Sequence, residues 1–314
     1  MGPKQTVKQY LENWLENVRR LRIRSSTLQS YRDALHIRII PALGHVQLNQ
    51  LSREMVQTFL ADLFDEGLSP NYIKALYMLL SSALKDAVDS EVLARNVCER
   101  VTLPRGEKYE ARPLTKEECQ RLITAARGHR LWFFILMGIT TGARRGELTG
   151  LRWSDIDLAK GVVHIRRTIV RLRKLGFVAN EPKTASGARK IRLTQIVIDG
   201  LEEQKRYIAA IRRHAGSAWK ENDLLFPNKH GGYLDRWVIS RQFQRVLEKA
   251  GLPYMRLHDL RHSAATLLLA AGVNVKVVQE MLGHSDIRIT LQMYSHVMPD
   301  MQKDAADKMN DMFQ

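Results

Sequence analysis

The residues of this chain best suited to chemistry on a phosphate ester stand in one stretch near its end, Leu257–Met298, LHDLRHSAATLLLAAGVNVKVVQEMLGHSDIRITLQMYSHVM. His258, Arg261, His284 and Tyr294 interrupt what otherwise reads as packed helix. His258 and Arg261 are three apart, so on a helix they share a face and can address one ligand. In LGHSD, Gly283 can end one helix and Ser285 or Asp286 can cap the next. Beyond it Ile287, Leu291 and Tyr294 recur at helical spacing, which predicts the tyrosine on the inward side of a short helix. A nucleophilic hydroxyl, a guanidinium and two imidazoles can attack, neutralise and protonate a phosphodiester. A tyrosine on an apolar helix face is ordinarily a core residue, so this reading needs further basic groups elsewhere in the chain.

The net charge supplies them. The chain carries 49 Lys and Arg against 33 Asp and Glu, a formal +16 over 314 residues. Residues 1–110 hold 15 basic and 13 acidic side chains, so nearly all of the excess lies in the remaining part. Within Gly161–Leu193 nine basic residues face a single acid. A polyanionic partner is the natural reading, because phosphate neutralisation dominates nucleic-acid affinity. The length allows two domains with a core each. No apolar run approaches the roughly 20 residues that span a bilayer, and the longest, Leu131–Ile139, reads as a buried helix. Lys4 and Lys8 lead into a polar amphipathic helix rather than a signal peptide. Cys98 and Cys119 form neither a disulfide framework nor a CxxC site. A cytoplasmic, nucleoid-associated protein with no membrane partner is expected.

The elements that must position these groups follow along the chain. Val7, Tyr10, Leu11, Trp14, Leu15 and Val18 predict a first amphipathic helix. Ser25, Ser26 and Thr27 offer caps for a second, ending near Ile39 before Pro41. Ser52 opens a third, with Met55, Val56, Phe59, Leu60, Leu63 and Phe64 on its apolar face, and Ser69-Pro70 opens a long fourth. The charged LPRGEKYEARP stretch, Leu103–Pro113, lacks apolar periodicity and reads as a linker. A capping box from Thr115 to Glu118 then starts the second domain. After the buried helix, TTGARRGELTGLRW turns at Gly142 and restarts a helix with Arg144 and Glu147 three apart. Such a pair is ordinarily an exposed surface contact; beside an apolar helix it can also be an arginine held by a buried carboxylate. Val162–Ile165 and Thr168–Leu172 read as strands, and EPKTASGARKIRL as strand, turn and strand with Ser186-Gly187 at the turn. Ile198–Ile211 and Trp237–Leu247 read as further amphipathic helices.

With these pieces in order, the chain resembles the tyrosine recombinase (phage-integrase) family, particularly integrases of phages and of integrative and conjugative elements. TGARRGEL is similar to the family's TGxRxxEL, PKTASGARKIRL to its lysine hairpin, HDLRH to HxLRH, and LGHSDIRITLQMYSH to its closing motif. The resemblance implies a mainly α fold with a small antiparallel β-sheet (α+β). It implies a helical core-site DNA-binding domain over 1–104, a linker over 105–112, a catalytic domain over 113–298 and a tail helix over 299–314 that docks on a neighbouring subunit. Larger members carry an arm-site-binding domain ahead of the core-binding helices; here the first residues already read as helix.

The implied activity is site-specific DNA recombination through a covalent 3′-phosphotyrosine intermediate, integrating or excising a mobile element with no ATP, metal or other cofactor. Tyr294 is then the nucleophile. Arg144, Arg261 and His284 become donors to the phosphate, Lys183 the acid for the departing 5′-oxygen, and His258 a proton-transfer group. Glu147 orients Arg144 or His258 from behind. The basic cluster, Arg166, Arg167, Arg171, Arg173, Lys174, Arg189 and Lys190, is expected to bind DNA. The implied partners are double-stranded core or attachment sites, a homotetramer on synapsed DNA, and accessory excision or DNA-bending factors. His258 and His262 are spaced like a zinc pair, but HDLRH lacks the glutamate of HExxH, and no P-loop motif occurs. Type IB topoisomerase-like DNA relaxation and a catalytically silent DNA-binding regulator are the alternatives.

Overall fold

A computed structural model of the chain describes residues 5–106, 109, 112–173, 175–181, 187–294, 307 and 309–313. The chain divides into two compact units, Met1–Tyr109 and, apart from the short Leu172–Lys174 segment, Glu110–Gln314. No described helix is long and apolar enough to cross a membrane.

The first unit is helical. Thr6 and Gln9 close a capping box on α1 (Val7–Asn13), which widens into a π turn over Trp14–Val18. The buried face of this helix is fixed to α5 (Pro70–Asp89) by polar contacts at both ends of the aromatic pair. The Tyr10 hydroxyl donates to the Ala83 carbonyl at 2.8 Å, and Trp14 Nε1 to Asp86 Oδ2 at 2.7 Å. Ser52 and Ser69 cap α4 (Arg53–Asp65) and α5 as their sequences predict, with Pro70 in the first turn. On α4, Val56, Phe59, Leu60 and Leu63 are buried, whereas Met55 and Phe64 flank the stripe and stay exposed.

The second helix departs from expectation. Ser25 is already inside α2 (Ser25–Ala34), whose cap position is Arg24, and no side chain caps it. The chain does not stop before Pro41. A π turn over Leu35–Ile39 leads into α3 (Ile40–Leu43), where Pro41 occupies the first turn. A first-turn N–H has no intrahelical acceptor, so its absence from proline costs nothing there.

The second unit is built around α7 (Trp132–Thr141), which is buried on every side and packs against α6 (Lys116–Ala126), α9 (Gln195–Ala215) and α11 (Asp259–Ala270). Its apolar sequence requires this: a helix apolar all round has no face for water. The Leu114 N–H donates to Ser263 Oγ at 2.9 Å, tying the start of this unit to α11. Gly142, at φ +60°, ends α7 in the left-handed conformation. A Cβ there would come within 2.3 Å of Leu282 Cδ2, so the turn needs glycine for both backbone and space. The chain then re-enters helix as α8 (Arg145–Thr149).

Five short strands follow. β1 (Ile156–Asp157), β2 (Val162–Ile165) and β5 (Arg189–Arg192) form one antiparallel sheet, with Val163 opposite Ile191 and Ile165 opposite Arg189. β3 (Thr168–Leu172) and β4 (Gly176–Asn180) form a second. The first strand and turn expected over EPKTASGARKIRL fall mostly on residues outside the described ones; its second strand, Arg189–Arg192, pairs with β2, and the preceding strand, Gly176–Asn180, pairs with β3. The alternation of Val163 and Ile165 on β2 gives Ile191 an apolar partner face, which β4 does not offer. Residues 182–186, with the lysine of the hairpin, lie outside the described residues. The chain closes with α10 (Arg236–Lys249), α11, α12 (Val275–Leu282) and α13 (Ile287–Tyr294), with Gly283 at φ +68° ending α12.

Candidate active site

Two guanidiniums close on one carboxylate, with a third beside them. Glu147, in the first turn of α8, has a side chain only 4% exposed. Its two oxygens accept from Arg144 Nη1 at 2.9 Å and from Arg189 Nη2 and Nη1 at 2.9 and 3.2 Å, and the Arg144 N–H closes the turn onto it at 2.8 Å. Burial alone would raise this carboxyl, but the hydrogen bonds and charge of Arg189, then those of Arg144, hold it below the usual range. Glu147 is thus the buried carboxylate of the two readings open for the Arg144–Glu147 spacing.

The arginines are also held by helix ends. Arg144 Nη2 donates to the Gly283 carbonyl at 3.2 Å, Arg189 Nε to the Met281 carbonyl at 2.6 Å, and Arg261 Nη1 to the Gly142 carbonyl at 2.9 Å. These carbonyls sit at the C-terminal ends of α12 and α7, where the helix dipole favours cations. The left-handed turns at Gly142 and Gly283 aim them.

Arg261 is 3% exposed, and its Nη2 is sealed from solvent with no hydrogen-bond partner among the described residues. Burial, then the neighbouring Arg144 charge, brings its pKa down to about 9, which still leaves it protonated at neutral pH. Near it, burial and the charges of Arg261 and Arg144 push His284 down to about 4, so this imidazole is neutral. Its Nδ1 lies 2.9 Å from the hydroxyl of the fully buried Thr290. His258 caps α11, edge-on to His262 at 5.7 Å, and burial and then His262 and Arg261 lower its pKa as well.

The structure thus brings Arg144, Glu147, His258, Arg261 and His284 together from three separated segments. Tyr294 is the last residue of α13; its side chain, like Lys183 and Lys174, lies outside the described residues. The stripe expected to turn that helix inward is different. Ile287 and Leu291 are 37% and 45% exposed, and among the described side chains of α13 the buried one is Thr290, one turn before Tyr294.

Two members of the expected DNA-binding cluster are corrected. Arg189, with a side chain 6% exposed, is spent on Glu147 and Met281 rather than on an outer surface. Arg167 clamps Asp155, itself 1% exposed, and donates to the Gly150 carbonyl at 3.1 Å. Arg171 ion-pairs with Asp235 and stacks over Phe177, while Arg166, Arg173 and Lys190 have exposed side chains. Arg189 and Ile191 share one face of β5 by strand alternation, and that was the signal available for its inward direction. Thr290 carried a weaker one, its place four residues before Tyr294. Among the described residues no cluster of three or more His, Cys, Asp or Glu could hold a metal.

Comparison with known proteins gives the family. Residues 112–301 match the phage integrase family, and residues 6–64 match the phage integrase N-terminal SAM-like domain. A tyrosine recombinase XerC-like protein of Caldanaerobacter subterraneus subsp. tengcongensis is 30% identical over 98% of this chain and 83% of its own. Among solved structures, the Tn1549 transposon integrase in complex with transposon right end DNA superposes with a TM-score of 0.80 at 23% identity, over 97% of this chain and 99% of that one. A lambda integrase tetramer bound to a Holliday junction gives 0.66 at 21%, covering 92% and 77%. These two likenesses concern the fold. The chain belongs to the phage integrase family, the tyrosine recombinases, enzymes that cleave and rejoin DNA.

Proposed function

We propose that this protein is a site-specific recombinase that integrates or excises a mobile element, using Tyr294 as nucleophile and no ATP or metal. The observation that carries the reading is the buried Nη2 of Arg261, without a partner among the described residues, beside a carboxylate already shared by Arg144 and Arg189. A sealed donor with no acceptor is a standing cost unless an anion arrives. A phosphate with two non-bridging oxygens is the anion that two forked guanidiniums fit.

The step balances as a transesterification. The Tyr294 oxygen forms a bond to phosphorus as the bond to the 5′-oxygen breaks. The phenolic proton leaves through His258, and Lys183 protonates the departing 5′-oxygen. Arg144, Arg261 and His284 stabilise the charge that grows on the non-bridging oxygens. A 5′-hydroxyl of another strand reverses the step, so bond energy is kept in the phosphotyrosine and strand exchange proceeds without ATP.

The first unit is assigned to core-site DNA, and the integrase–DNA complex of Tn1549 supports that choice. The tetrameric lambda integrase supports a homotetramer on synapsed DNA. Most of the 299–314 tail lies outside the described residues; Met309, Met312 and Phe313 are helical and exposed. A short amphipathic helix gains stability only by docking, and docking on the neighbouring subunit would close a ring.

The test is a nicked suicide duplex bearing the element's end. The expected result is a covalent protein–DNA adduct that Tyr294→Phe abolishes while DNA affinity stays intact. An adduct formed by the Phe variant would sink the assignment.

A further inference from the structure

Thr290 has 0% exposure and one hydrogen-bond partner, Nδ1 of His284 at 2.9 Å. Other helical hydroxyls of this unit behave differently. Thr140, Thr141, Thr149 and Ser263 each donate to the carbonyl four residues back, at 2.5–3.0 Å. Thr290 makes no such bond, so its proton is free for the imidazole. The direction follows from satisfaction of both groups. Were Nδ1 to carry the proton and donate to Oγ1, the buried hydroxyl proton would have no acceptor. With the hydroxyl donating to a bare Nδ1, neither group is left unpaired. The single proton of a neutral imidazole then sits on Nε2, the nitrogen that bears no hydrogen bond to a described residue.

We propose that Thr290 is a positioning residue for strand cleavage: its hydroxyl fixes His284 as the Nε2–H tautomer, so that the donor at Nε2 exists only while α13 is seated. The inference rests on the role assigned to His284 above. It adds a link between two catalytic groups. Thr290 lies one turn before Tyr294 on the same helix, so the bond that orients His284 also reports the placement of the helix bearing the nucleophile. Withdrawing α13 would then remove the attacking oxygen and the oriented donor together, and a subunit with its tyrosine displaced would be doubly silent. Among the described side chains of α13, Ile287, Ile289 and Leu291 are 37%, 41% and 45% exposed, whereas Thr290 is fully buried.

The decisive measurement uses the unaltered, DNA-free chain labelled with 15N-histidine. Long-range proton–nitrogen spectra, with His284 assigned by its loss in His284→Gln, are expected to show the Nε2–H tautomer. An Nδ1–H imidazole overturns the proposal whatever any variant does. Single-turnover cleavage of the nicked duplex is the second arm. Thr290→Val keeps the shape and removes the hydroxyl, and is expected to slow cleavage roughly tenfold to a hundredfold with DNA affinity unchanged. Thr290→Ser restores the hydroxyl and should recover most of the rate. An unimpaired Val variant, or a folded Ser variant as slow as Val, overturns the proposal. His284→Ala separates the two readings. If it cleaves slowly while Thr290→Val is unimpaired, this inference alone fails; if His284→Ala is itself unimpaired, the role of His284 fails with it.

Discussion

Two buried carboxylates in the second unit hold arginines, and they do so to opposite ends. Asp155, 1% exposed, is matched by Arg167 through both guanidinium nitrogens, and Arg152 adds its backbone N–H at 2.9 Å. Arg167 spends its remaining capacity on the Gly150 carbonyl, and Arg166 lies 3.9 Å away with its side chain largely in water. Every buried charge there has a counter-charge. Glu147 instead divides itself between Arg144 and Arg189, and Arg261 is close enough for all three charges to bear on it. One carboxylate among three guanidiniums leaves two positive charges over, with one buried donor holding nothing. The same residue types make a bracket in the first case and an anion hole in the second. What distinguishes them is the stoichiometry of charge rather than burial or an unused donor, since Nε of Arg152 beside Asp155 is also buried without a partner among the described residues.

The comparison breaks most visibly in the cleavage rate. Arg261→Ala or Arg144→Ala should each lower single-turnover cleavage by about 10²–10³, the typical loss when one charged donor is removed from a transition state. Arg167→Ala should leave the rate of the folded protein near that of the parent. A near-parental rate for Arg261→Ala would remove it from the phosphate clamp.

Stability sharpens it next. Breaking a buried pair by neutralising one partner costs about 3–5 kcal/mol, because the other charge is stranded. Urea unfolding should show losses on this scale for both Glu147→Gln and Asp155→Asn. Only the former should also slow cleavage, since only Glu147 holds Arg144. Equal cleavage losses in the two variants would dissolve the distinction.

A smaller effect comes from pH. The folded pKa of His284, about 4, lies below its ordinary 6.5. Between those values the unfolded chain binds the proton and the folded chain does not, so stability falls as pH drops from about 6.5 towards 4. From pH 7 to 5 this single group contributes a loss of about 2 kcal/mol. The depressed Glu147 pKa acts in the same direction at lower pH: its contribution is present above the ordinary carboxylate range and is lost as pH falls through the folded value. His284→Gln should flatten the first window alone, as read from urea midpoints at pH 7 and 5.

How much of this was legible in the sequence depended on whether local chemistry or tertiary partners decided each element. Caps at Ser52, Ser69 and Thr115 are read from a hydroxyl and its neighbours three residues on, and the helices after them start where the sequence predicts. The family motifs brought His258, Arg261 and His284 to the same cluster as Arg144, though no local rule could place them together. Pro41 was misread because a π turn, set by packing, moved it into a fresh first turn. The pairing of β5 with β2 was not legible because strand pairing is non-local. Arg189 and Arg167 were counted as DNA contacts because a run of charge carries no record of which members meet a buried acid. Alternation on β5 would have separated Arg189 from Lys190.

The smallest effect tests that last distinction on neighbouring residues. Arg166, at 54% side-chain exposure, has a weak hold on Asp155 and is free to neutralise a phosphate, whereas Arg167, at 19%, is committed. A cation that pairs with DNA releases one condensed counterion, so removing it should lower the slope of log affinity against log salt by about one. Arg166→Ala should therefore weaken duplex binding modestly and uniformly across sequences, with that reduced slope. Arg167→Ala, tested at a temperature where it remains folded, should keep the parental slope, because its guanidinium was never available to the phosphate. Titrations of both variants across a salt series decide the matter. If Arg167→Ala also lost about one unit of slope, Asp155 would be holding an arginine that DNA can still recruit, and the bracket would have to be redrawn as a second anion site.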